Sequence, residues 1–517
     1  MSDSALHAVR RERELAESTD GRVVDLLVVG LGVTGAGVAL DAATRGLDVV
    51  AVDAHDLAFG TSRWSSKLVH GGLRYLARGQ VAVAHESAVE RGILMTRTAP
   101  HLTRTLPMLM PLGARVSHGQ ALLGHAGLEA GDLLRRSART PKAVLPRPRR
   151  LDRAETLARV PGLRQGGLRG GLLGFDGQLE DDVRLVVALA RTAAGAGARV
   201  VTRARVEALS GDGALVRDML TGTTHSIKAR SVVNATGVWA GGLVPGVSLR
   251  PSRGTHLVLA KDTLPIRDAV LAPVPHEHNR FVFALPQSDG RVYVGITDEP
   301  VDGPLPEIPE PTPGEIGFLL DVIGAAFERP ITRADVAGAY AGLRPLLDAH
   351  GRTSDLSRRH AVLTSPEGVV TVVGGKLTTY RRMAEDAVDA AVKRRGLEAG
   401  PCRTGNLPVV GAATIRLCCA SEKGTNLDRR IVSRFGDEAG EVVAHAVELT
   451  GLSEAEVLEP IAAGVTRAEL VWGVTHEVAL DVDDLLDRRT RVGLVDAERR
   501  LVEPAARDAL SLSARGR

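Results

Sequence analysis

The hydrophobic pattern of the chain begins with a strand, a glycine-rich turn and a helix. Val23–Val29 is a nearly unbroken apolar run, which is typical of a parallel strand that is buried on both faces. The turn GLGVTG follows at once, and a helical pattern then continues to Arg45. Gly46 ends this helix, and residues 47–52 form a second apolar run that ends at Asp53. The sequence therefore predicts a β-α-β unit with a glycine-rich turn after its first strand.

The glycines and the acidic residue of this unit predict that it binds a dinucleotide. In a G-x-G-x-x-G turn one glycine makes the tight turn, one lets the backbone approach a pyrophosphate, and one lets helix and strand pack closely. The helix N-terminus adds N–H donors and a positive dipole end. A carboxylate after the second strand can hold the adenosine ribose, which favours FAD or NAD over NADP. The predicted contacts are Gly30, Gly32, Val33, Thr34, Gly35 and Asp53. The alternative is a β-α-β unit without a ligand.

Three later segments are predicted to return to the same domain. Residues 180–182 open a helix, and residues 198–206 form a strand after it. Residues 232–237 form another apolar strand that ends in a turn of small residues. Residues 369–373 form a further strand, which GGKLTT and a helix from Tyr380 follow. A cofactor domain built from three separated pieces favours a flavoprotein over a simple NAD dehydrogenase.

The rest of the chain predicts two other units. Residues 249–298 alternate and are rich in β-formers, with SDG as a hairpin turn, which indicates a separate antiparallel sheet. Beyond about residue 400 the pattern is helical, because Ser453 and Thr466 begin capping boxes and residues 470–494 have helical spacing.

The predicted fold class is therefore α/β, with a discontinuous Rossmann-like FAD-binding domain, an antiparallel β substrate domain and a C-terminal α-helical domain. The predicted boundaries are 21–112, 171–248 and 336–398 for the three parts of the FAD-binding domain, 113–170 for a basic segment that contacts a membrane, 249–335 for the substrate domain and 399–517 for the helical domain.

Composition and charge exclude several classes of protein. The 517 residues, 44% of them hydrophobic, are enough for two or three globular domains, and a net charge of +3 is too balanced for a nucleic-acid binder. We expect reduced thiols at Cys402, Cys418 and Cys419, because no C-x-x-C spacing occurs. No early apolar stretch reaches the roughly 18 residues of a spanning helix. The acidic cluster at residues 481–487 is expected to be a solvated helix start rather than a metal site.

Seven segments resemble, in order along the chain, the FAD-dependent glycerol-3-phosphate dehydrogenases. They are DLLVVGLGVTGAGVALDAATRGLDVVAVD, TSRWSSKLVHGGLRYL, VVNATGVWA, RGTHLVL, VGITDEP, GLRPL and VVGGKLTTYRRMAEDAV. The resemblance extends from about residue 22 to 395 and continues more loosely into the helical tail. SSKLVHGGLRYL together with GGKLTTYR is a specific signature, because a generic amine-oxidising flavoprotein shares only the glycine fingerprint.

This resemblance implies an enzyme of glycerol metabolism with FAD as its cofactor. Members of the family oxidise sn-glycerol 3-phosphate to dihydroxyacetone phosphate with hydride transfer to flavin N5. Those that pass the electrons to a quinone (ubiquinone or menaquinone) lie on the cytoplasmic face of the cell membrane. We expect the same of this chain, and its sequence leaves a homodimer open.

The resemblance also implies the substrate contacts. The substrate is a phosphate monoester close to a dianion at neutral pH, so several cations are needed, and arginine is preferred for its planar fork. Motif matching places the contacts at Arg74, Tyr75, Arg344, Arg358 and Lys376. Oxidation at C2 needs a base within hydrogen-bond reach of the hydroxyl, and His256 is our candidate. Arg344 and Lys376 are expected to act with this base in catalysis, Lys376 by stabilising negative charge on the reduced flavin.

Further contacts with FAD follow from the same motifs. Serine and threonine hydroxyls are expected at the pyrophosphate and flavin, the HGG segment beside the flavin, and a strand residue against the adenine. These residues are Thr61, Ser62, Ser65, Ser66, Lys67, Leu68, His70, Gly71, Gly72, Val206, Thr236, Gly237, Gly375, Lys376, Leu377 and Thr378.

A basic segment at residues 113–153 is the predicted membrane-facing surface. The leucine-bearing stretch ALLGHAGLEAGDLL precedes Arg135, Arg136, Arg139, Lys142, Arg147, Arg149, Arg150 and Arg153. Each cation near an anionic leaflet contributes about 1 kcal/mol. The segment lacks Trp, Tyr and Phe, the usual interfacial anchors. The alternative is a basic solvated loop.

Three other functions stay open at this point. The first is an oxidase that uses the same substrate and flavin but passes electrons to oxygen. The second is an amine or amino-acid oxidase of the same superfamily, against which the arginines, the lysine and GGKLTTY argue. The third is a non-catalytic flavin-binding membrane protein.

Overall fold

A computed structural model describes residues 3–76, 79–114, 116–275, 277, 280–347, 360–412 and 429–515. Its strands are β1 (Val23–Val29), β2 (Val49–Val52), β3 (Leu68–Val69), β4 (Thr103–Pro111), β5 (Arg149–Leu151), β6 (Gly171–Leu179), β7 (Arg199–Val201), β8 (Ala204–Ser210), β9 (Gly213–Asp218), β10 (Thr224–Asn234), β11 (Ser252–Leu259), β12 (Ala269–Pro273), β13 (Phe281–Pro286), β14 (Val292–Gly295), β15 (Glu299–Pro300), β16 (Val336–Arg344), β17 (Ala361–Thr364) and β18 (Val370–Val373).

The helices are α1 (Ala8–Ser18), α2 (Val33–Thr44), α3 (Leu73–Leu76), α4 (Val81–Ile93), α5 (His118–Ser137), α6 (Arg153–Arg159), α7 (Asp182–Gly195), α8 (Ala240–Leu243), α9 (Pro313–Gly324), α10 (Tyr380–Arg395), α11 (Arg429–Phe435), α12 (Ala439–Thr450), α13 (Glu454–Leu458), α14 (Arg467–His476) and α15 (Asp496–Arg515). None of these described helices is long and apolar enough to cross a membrane.

The first sheet is mainly parallel and is covered on both faces. Five strands run parallel in the order β18-β10-β1-β2-β7, while β17 joins one edge and the β8–β9 hairpin continues from β10 in antiparallel pairing. Helices α2, α7 and α10 cover one face, over buried Leu26 and Val28. Helix α1 and the β8–β9 hairpin cover the other face, over Val24 and Leu27. Burial on both faces explains why β1 is almost entirely apolar.

The second sheet is mainly antiparallel and has ten strands, in the order β15-β11-β14-β13-β12-β4-β6-β3, with β16 beside β11 and β5 beside β6. The pair β12–β4 is parallel. Helix α9 packs its buried Leu319 and Ile323 against this sheet. Strands β3 to β6 belong to this second sheet, so the chain before residue 249 contributes to both sheets. The predicted domain boundaries stay predictions.

The C-terminal helices α11 to α15 pack around their own core, in which Trp472 is almost fully buried. The two predicted capping boxes begin α13 and α14, where Ser453 and Thr466 accept from the backbone N–H groups of Glu456 and Glu469. The predicted α/β class, with a parallel sheet, a second sheet and a helical C-terminal region, is therefore confirmed.

Two predicted elements are interrupted in the structure. Residues 198–206 form two strands, β7 and β8, rather than one, because Arg203 lies between them with φ +56°. Residues 470–494 do not form one helix, because α14 ends at His476 and Val478 has φ +52°. A residue with the left-handed backbone conformation interrupts a strand or a right-handed helix, because both of these structures require a negative φ.

The acidic cluster at residues 481–487 is solvated at Asp481 and Asp483, as expected, but not at Asp484. Asp484 is buried and its carboxylate pairs with Arg203 and Arg488, while Asp483 and Asp487 pair with Arg499. The described residues contain no group of His, Cys, Asp and Glu that could hold a metal ion. Cys402 is half-buried with a free thiol, and Cys418 and Cys419 lie outside the described residues.

A buried ion cluster joins the helical domain to the first sheet. The carboxylate of Asp56, which follows β2, accepts from Arg488 Nε at 2.6 Å and from Arg489 Nη1 and Nη2 at 2.7 and 2.8 Å. Burial alone would raise the pKa of Asp56, but Arg489 and Arg488 lower it to about 2. The chain's beginning also contacts this domain, since Leu6 exchanges backbone hydrogen bonds with His476 and Val478. This junction therefore depends on a carboxylate that stays ionised.

We expect Asp56→Asn to lower the free energy of unfolding by about 3 kcal/mol, the lower end for breaking a buried ion pair. The buried guanidinium groups of Arg488 and Arg489 lose the carboxylate they share, while each keeps a second acidic neighbour, Asp484 or Glu477. Urea unfolding followed by circular dichroism measures this change. The control Glu17→Gln removes an exposed ion pair with Arg13, and its unfolding midpoint should stay that of the wild type. If both variants unfold like the wild type, Asp56 does not hold the junction.

Candidate active site

The carboxyl ends of the parallel strands β1, β10, β2 and β18 meet at one edge of the first sheet. From β1 the chain passes through α2 to β2 and later to β7 on one side, whereas β10 and β18 lie on the other side of β1. This makes the edge between β1 and β10 a topological switch point, where ligands of open α/β sheets bind.

The glycine-rich turn lies at this switch point. Gly30 has φ +98°, and a Cβ there would lie 2.8 Å from the carbonyl oxygen of Ala235 on the turn after β10. A Cβ on Gly35 would overlap the carbonyl oxygen of Gly30, so only glycine permits this packing of α2 on β1. Gly32 caps α2, and the N–H of Val33 donates to Ser62 Oγ at 2.9 Å. The turn therefore has the close backbone approach that a pyrophosphate site requires.

Asp53 lies at the end of β2 beside this turn. One carboxylate oxygen accepts from the N–H of Leu31 at 2.6 Å and the other from the N–H of His55 at 2.8 Å. Burial raises the pKa of Asp53 to about 6 against these two backbone donors. A half-buried carboxylate held in this way still has lone pairs for ribose hydroxyls, so these residues fit a dinucleotide.

Two more predicted segments reach the same edge. Thr236 donates from its hydroxyl to Asn234 Oδ1 at 2.7 Å, and Gly237 follows with φ +61°. After β18, Gly375 has φ +71°, and the turn leads through Leu377 and Thr378 into α10. Val206 is buried on β8, in the same cluster as strand residues of β1 and β2. The three chain pieces predicted for the cofactor thus converge.

The segment of residues 61–67 is fixed by side-chain contacts within the protein. Thr61 donates from Oγ1 to the carbonyl oxygen of Leu343 at 2.6 Å. The hydroxyl of Ser65 and the ammonium of Lys67 donate to Asp182 Oδ2 at 2.8 and 3.0 Å. The side chains of Ser65 and Lys67 therefore hold the segment against α7, and their role as cofactor contacts stays a prediction.

The role of Asp182 does not follow from the sequence, because the pattern of residues 180–182 predicts only a helix start. Its side chain is fully buried and accepts three hydrogen bonds from the 61–67 segment. Asp181 is the N-cap of α7 and accepts from the N–H of Val183 at 2.8 Å. The available sequence signal was the pair of adjacent acidic residues at this position. One of them is enough to cap the helix, so the second can have another role.

The next segment, residues 68–72, is held by a second buried pair. Leu68 lies in β3, and His70 is half-buried after it. Asp176 on β6 accepts from the N–H of Gly71 at 3.2 Å and from Arg91 Nη1 at 2.6 Å. Gly72 follows with φ +79°. Sequence reasoning missed Asp176 and Arg91, since nothing in their local pattern links them to this segment.

Arg344 and His256 face the same side of the second sheet. Strands β11 and β16 pair Ser252 with Arg344 and His256 with Tyr340, with Gly254 opposite Gly342 between them. Directly opposed residues share a face. A Cβ on Gly254 would overlap the guanidinium of Arg344, so this glycine lets the side chain lie flat.

The guanidinium of Arg344 is held by several acceptors. It donates to Ser252 Oγ at 3.2 Å and to the carbonyl oxygen of Thr297 at 3.0 Å, and it lies 3.4 Å from Asp298 Oδ1. Ser252 in turn donates to Asp298. The cation is therefore fixed in direction before any ligand binds.

His256 is fully buried, and its ring is held on two sides. Nε2 lies 2.8 Å from Ser66 Oγ, and the ring stacks on Tyr340 with centroids 4.8 Å apart. Burial lowers the pKa of His256 well below its usual value, and the charges of Lys67 and Arg344 lower it further. The imidazole is therefore neutral at pH 7 and able to accept a proton.

Lys376 and Tyr75 form a second cationic group. The Lys376 Nζ lies 3.9 Å from the centroid of the Tyr75 ring and donates to Ser87 Oγ at 3.3 Å. Arg74 lies in α3 beside Tyr75. Arg358, the remaining predicted substrate contact, lies outside the described residues. The described residues thus provide a neutral imidazole with a held guanidinium on one sheet face, a second held cation at Lys376, and a dinucleotide edge. These are the groups that the oxidation of an anionic alcohol needs.

Known proteins are similar to this chain over nearly its whole length. The model of the FAD dependent oxidoreductase family matches residues 25–381, and that of the C-terminal domain of alpha-glycerophosphate oxidase matches residues 402–510. The chain is 52% identical to glycerol-3-phosphate dehydrogenase 1 of Mycobacterium tuberculosis, over 98% of this chain and 99% of that protein. It is 33% identical to the aerobic glycerol-3-phosphate dehydrogenase of Staphylococcus aureus, over 94% of this chain and 90% of that protein.

A solved structure agrees with these relatives. The glycerol-3-phosphate dehydrogenase of Bacillus halodurans complexed with FAD is similar with a TM-score of 0.75 and 29% identity, over 98% of this chain and 94% of that one. The expected cofactor, FAD, is thereby confirmed. The chain belongs to the FAD-dependent glycerol-3-phosphate dehydrogenase family.

Proposed function

We propose that the protein oxidises sn-glycerol 3-phosphate to dihydroxyacetone phosphate with FAD and passes the electrons to a membrane quinone. The observation that carries the proposal is the neutral, buried His256 on the same sheet face as the fixed guanidinium of Arg344. A base next to an anion-binding cation is what a secondary alcohol with a phosphate group requires. The names of the relatives at 52% and 33% identity support this substrate.

His256 accepts the proton of the C2 hydroxyl in this proposal. Bound FAD supplies the hydride acceptor for C2. Because the imidazole is kept neutral by burial, Lys67 and Arg344, it is in its proton-accepting form over the physiological pH range. The stacked ring of Tyr340 holds the imidazole in one plane, so the base is oriented before substrate arrives.

The cations bind and orient the phosphate. Arg344 and Lys376 are the two described members of the set, and Arg74 and Arg358 join them by motif match. Contacts with Ser252, Thr297 and Asp298 fix the Arg344 guanidinium, so less side-chain entropy is lost on binding. The Tyr75 ring places the Lys376 ammonium by a cation–π contact. Ser62, Asp53 and the glycine-rich turn are proposed to hold the cofactor's pyrophosphate and ribose.

A membrane surface is proposed to bind α5, with the protein on the cytoplasmic face of the cell membrane, where it would reach its quinone. Leu122, Leu123 and Leu133 on α5 are 71%, 63% and 62% exposed. Leu122 and Leu133 are three turns apart and share a face. The exposed cations of the following chain are Arg136, Arg139, Lys142, Arg147, Arg149, Arg150 and Arg153.

Arg135 does not belong to this cationic surface, although its sequence position suggested so. It is buried and donates from Nε to Asp132 at 2.7 Å. An arginine in this place stabilises the end of α5 rather than contacting lipid headgroups.

The rival function is an oxidase that reduces oxygen. The family model that matches residues 402–510 is named after alpha-glycerophosphate oxidase. The same site would serve both reactions, because substrate oxidation is common to them. Hydrogen peroxide formed in a one-to-one ratio with substrate would identify the oxidase, whereas reduction of a quinone analogue without peroxide would identify the dehydrogenase.

We expect sn-glycerol 3-phosphate to bleach the visible flavin absorbance of the purified protein under anaerobic conditions. The FAD-loaded protein is titrated with this substrate and, as a control, with glycerol, which lacks the phosphate. Bleaching by the first compound alone supports the substrate and the phosphate-binding cations together. A flavin that stays oxidised would overturn the proposed substrate.

We expect Arg344→Ala to raise KM and lower kcat, with kcat/KM reduced about 10- to 100-fold, because a charge-assisted contact with the phosphate is lost. The FAD content should not change, since Arg344 lies on the second sheet. The matched control is Arg329→Ala, an exposed arginine paired with Asp335, which should have wild-type kinetics. Wild-type kinetics in Arg344→Ala would remove this residue from the site.

We expect the triple variant Leu122→Ser, Leu123→Ser and Leu133→Ser to bind anionic vesicles at least about tenfold more weakly, because apolar side chains would no longer enter the interface. Vesicle co-sedimentation measures this. The control triple variant, Leu220→Ser, Ile308→Ser and Leu501→Ser, removes exposed apolar side chains elsewhere and should bind as the wild type does. Equal binding of both triple variants would contradict a membrane role of α5.

A further inference from the structure

We propose that the C-terminal helical domain completes the active site, with Arg491 as its positioning residue: the guanidinium of Arg491 holds the segment of residues 61–67 in place. This inference rests on the proposed function, because it concerns the same site. The contacts belong to one short turn of the helical domain, residues 491–495, which precedes α15 and is called the 491–495 turn below.

The 491–495 turn is fixed on its own domain. Arg491 begins the turn with φ +63°, and its Nη1 donates to the carbonyl oxygen of Asp487 at 2.7 Å. Just before the turn, Thr490 donates from Oγ1 to the carbonyl oxygen of Leu485 at 2.9 Å. The turn therefore has a defined place on the helical domain where it meets the rest of the protein.

The other end of the Arg491 guanidinium reaches the 61–67 segment. Nη2 donates to the carbonyl oxygen of Arg63 at 2.6 Å, and the central carbon of the guanidinium lies 5.1 Å from the centroid of the Trp64 ring. Arg491 is buried, and the two bonded residues are 428 positions apart in sequence. A planar guanidinium donates in fixed directions, so this side chain ties a backbone carbonyl of the helical domain to one of the segment.

The charge of Arg491 acts on the same segment. Burial alone would lower the pKa of Arg491, but the carboxylates of Asp182 and Asp181 raise it. Asp182 is the acceptor for Ser65 and Lys67 of the segment. The guanidinium therefore stays charged and adds positive charge beside two adjacent buried carboxylates, of which Lys67 pairs with one.

The 61–67 segment carries groups of both halves of the site. Ser62 accepts from the backbone N–H at the start of α2, next to the glycine-rich turn, at 2.9 Å. The carbonyl oxygen of Ser65 accepts from the hydroxyl of Tyr340 at 3.0 Å, and the Tyr340 ring stacks on His256. A displacement of the segment would therefore disturb the cofactor edge and the support of the proposed base together.

The 491–495 turn also contacts the support of the base directly. The carbonyl oxygen of Leu494 lies against Gly338 of β16, where a Cβ would overlap it. Tyr340 is two residues further along this strand and lies on the same face, and it packs in one buried apolar cluster with Val495. The helical domain thus touches the surroundings of the site at two points, one on the 61–67 segment and one on β16.

The first test reads the segment without substrate, by amide hydrogen exchange of the FAD-bound protein with detection by mass spectrometry. Arg491→Met keeps an unbranched side chain but loses the donors and the charge. We expect the amides of residues 61–67 to exchange at least about tenfold faster in this variant, because the segment opens locally. Arg491→Lys keeps the charge and one donor, and its segment should exchange nearly as slowly as in the wild type.

The matched control is Arg191→Met, which removes another buried arginine between the first sheet and the helical domain. Arg191 on α7 pairs with Glu438 at 2.7 Å, away from the 61–67 segment. This variant should leave the exchange of the segment unchanged. Wild-type exchange of residues 61–67 in Arg491→Met, or the same increase in Arg191→Met, would overturn the inference.

The second test is kinetic and uses the FAD-loaded proteins at a temperature at which all of them are folded. We expect Arg491→Met to lower the rate of flavin reduction by sn-glycerol 3-phosphate about tenfold, because the reacting groups are misplaced. KM should change less than about threefold, since Arg344 and Lys376 keep their own contacts. Arg491→Lys should restore most of the rate, and Arg191→Met should have the wild-type rate.

A wild-type rate in Arg491→Met, or an equal loss of rate in Arg191→Met, would contradict the positioning role. If the exchange results are as expected but the wild-type flavin is not bleached, the proposed substrate is wrong and the hold of Arg491 on the segment stands.

Discussion

The carboxylate of Asp182 holds the segment that connects the two sheets at the site. It lies fully buried at the start of α7, which packs under the first sheet, and it accepts from Ser65 and Lys67. Between these residues Ser66 reaches β11 in the second sheet. A charge buried in this way is tolerated only when it is paired and fully hydrogen-bonded. This ion pair, together with the contacts of Thr61 and Ser62, therefore fixes the geometry between the cofactor edge and the proposed base.

The charges of the site have different physical tasks. Lys67 is fully buried and neutralised by Asp182, yet it still disfavours a proton on His256. Arg344 also lowers the pKa of His256, and in our proposal it binds the substrate's phosphate. The two cations therefore have compatible effects: they lower the pKa of His256 and they attract the anionic substrate. A carboxylate in their place would raise the pKa of the imidazole and repel the phosphate. Asp298 is close enough to orient Arg344.

Much of the first sheet could be predicted from short-range sequence patterns. The apolar run of β1, the glycine-rich turn, the start of α2 and the position of Asp53 all lie within about 30 residues, and each has a local cause in burial, backbone freedom or helix capping. The capping boxes at Ser453 and Thr466 are local in the same way. The substrate residues came from a family resemblance and not from spacing, because an arginine such as Arg344 has no local pattern that distinguishes it from a surface charge.

Only the tertiary structure decided which side chains hold these residues in place. The pairs Ser66–His256, Lys67–Asp182 and Arg91–Asp176 join residues 85 to 190 positions apart, and nothing in the neighbouring sequence links the partners. The strand break at Arg203 likewise depends on a backbone contact with His55. The sequence by itself determined the first β-α-β unit, its dinucleotide turn and the two helix caps, because periodicity, glycine and capping act over a few residues. The pairing of buried charges was decided by the fold, because their stability depends on which groups share the same interior.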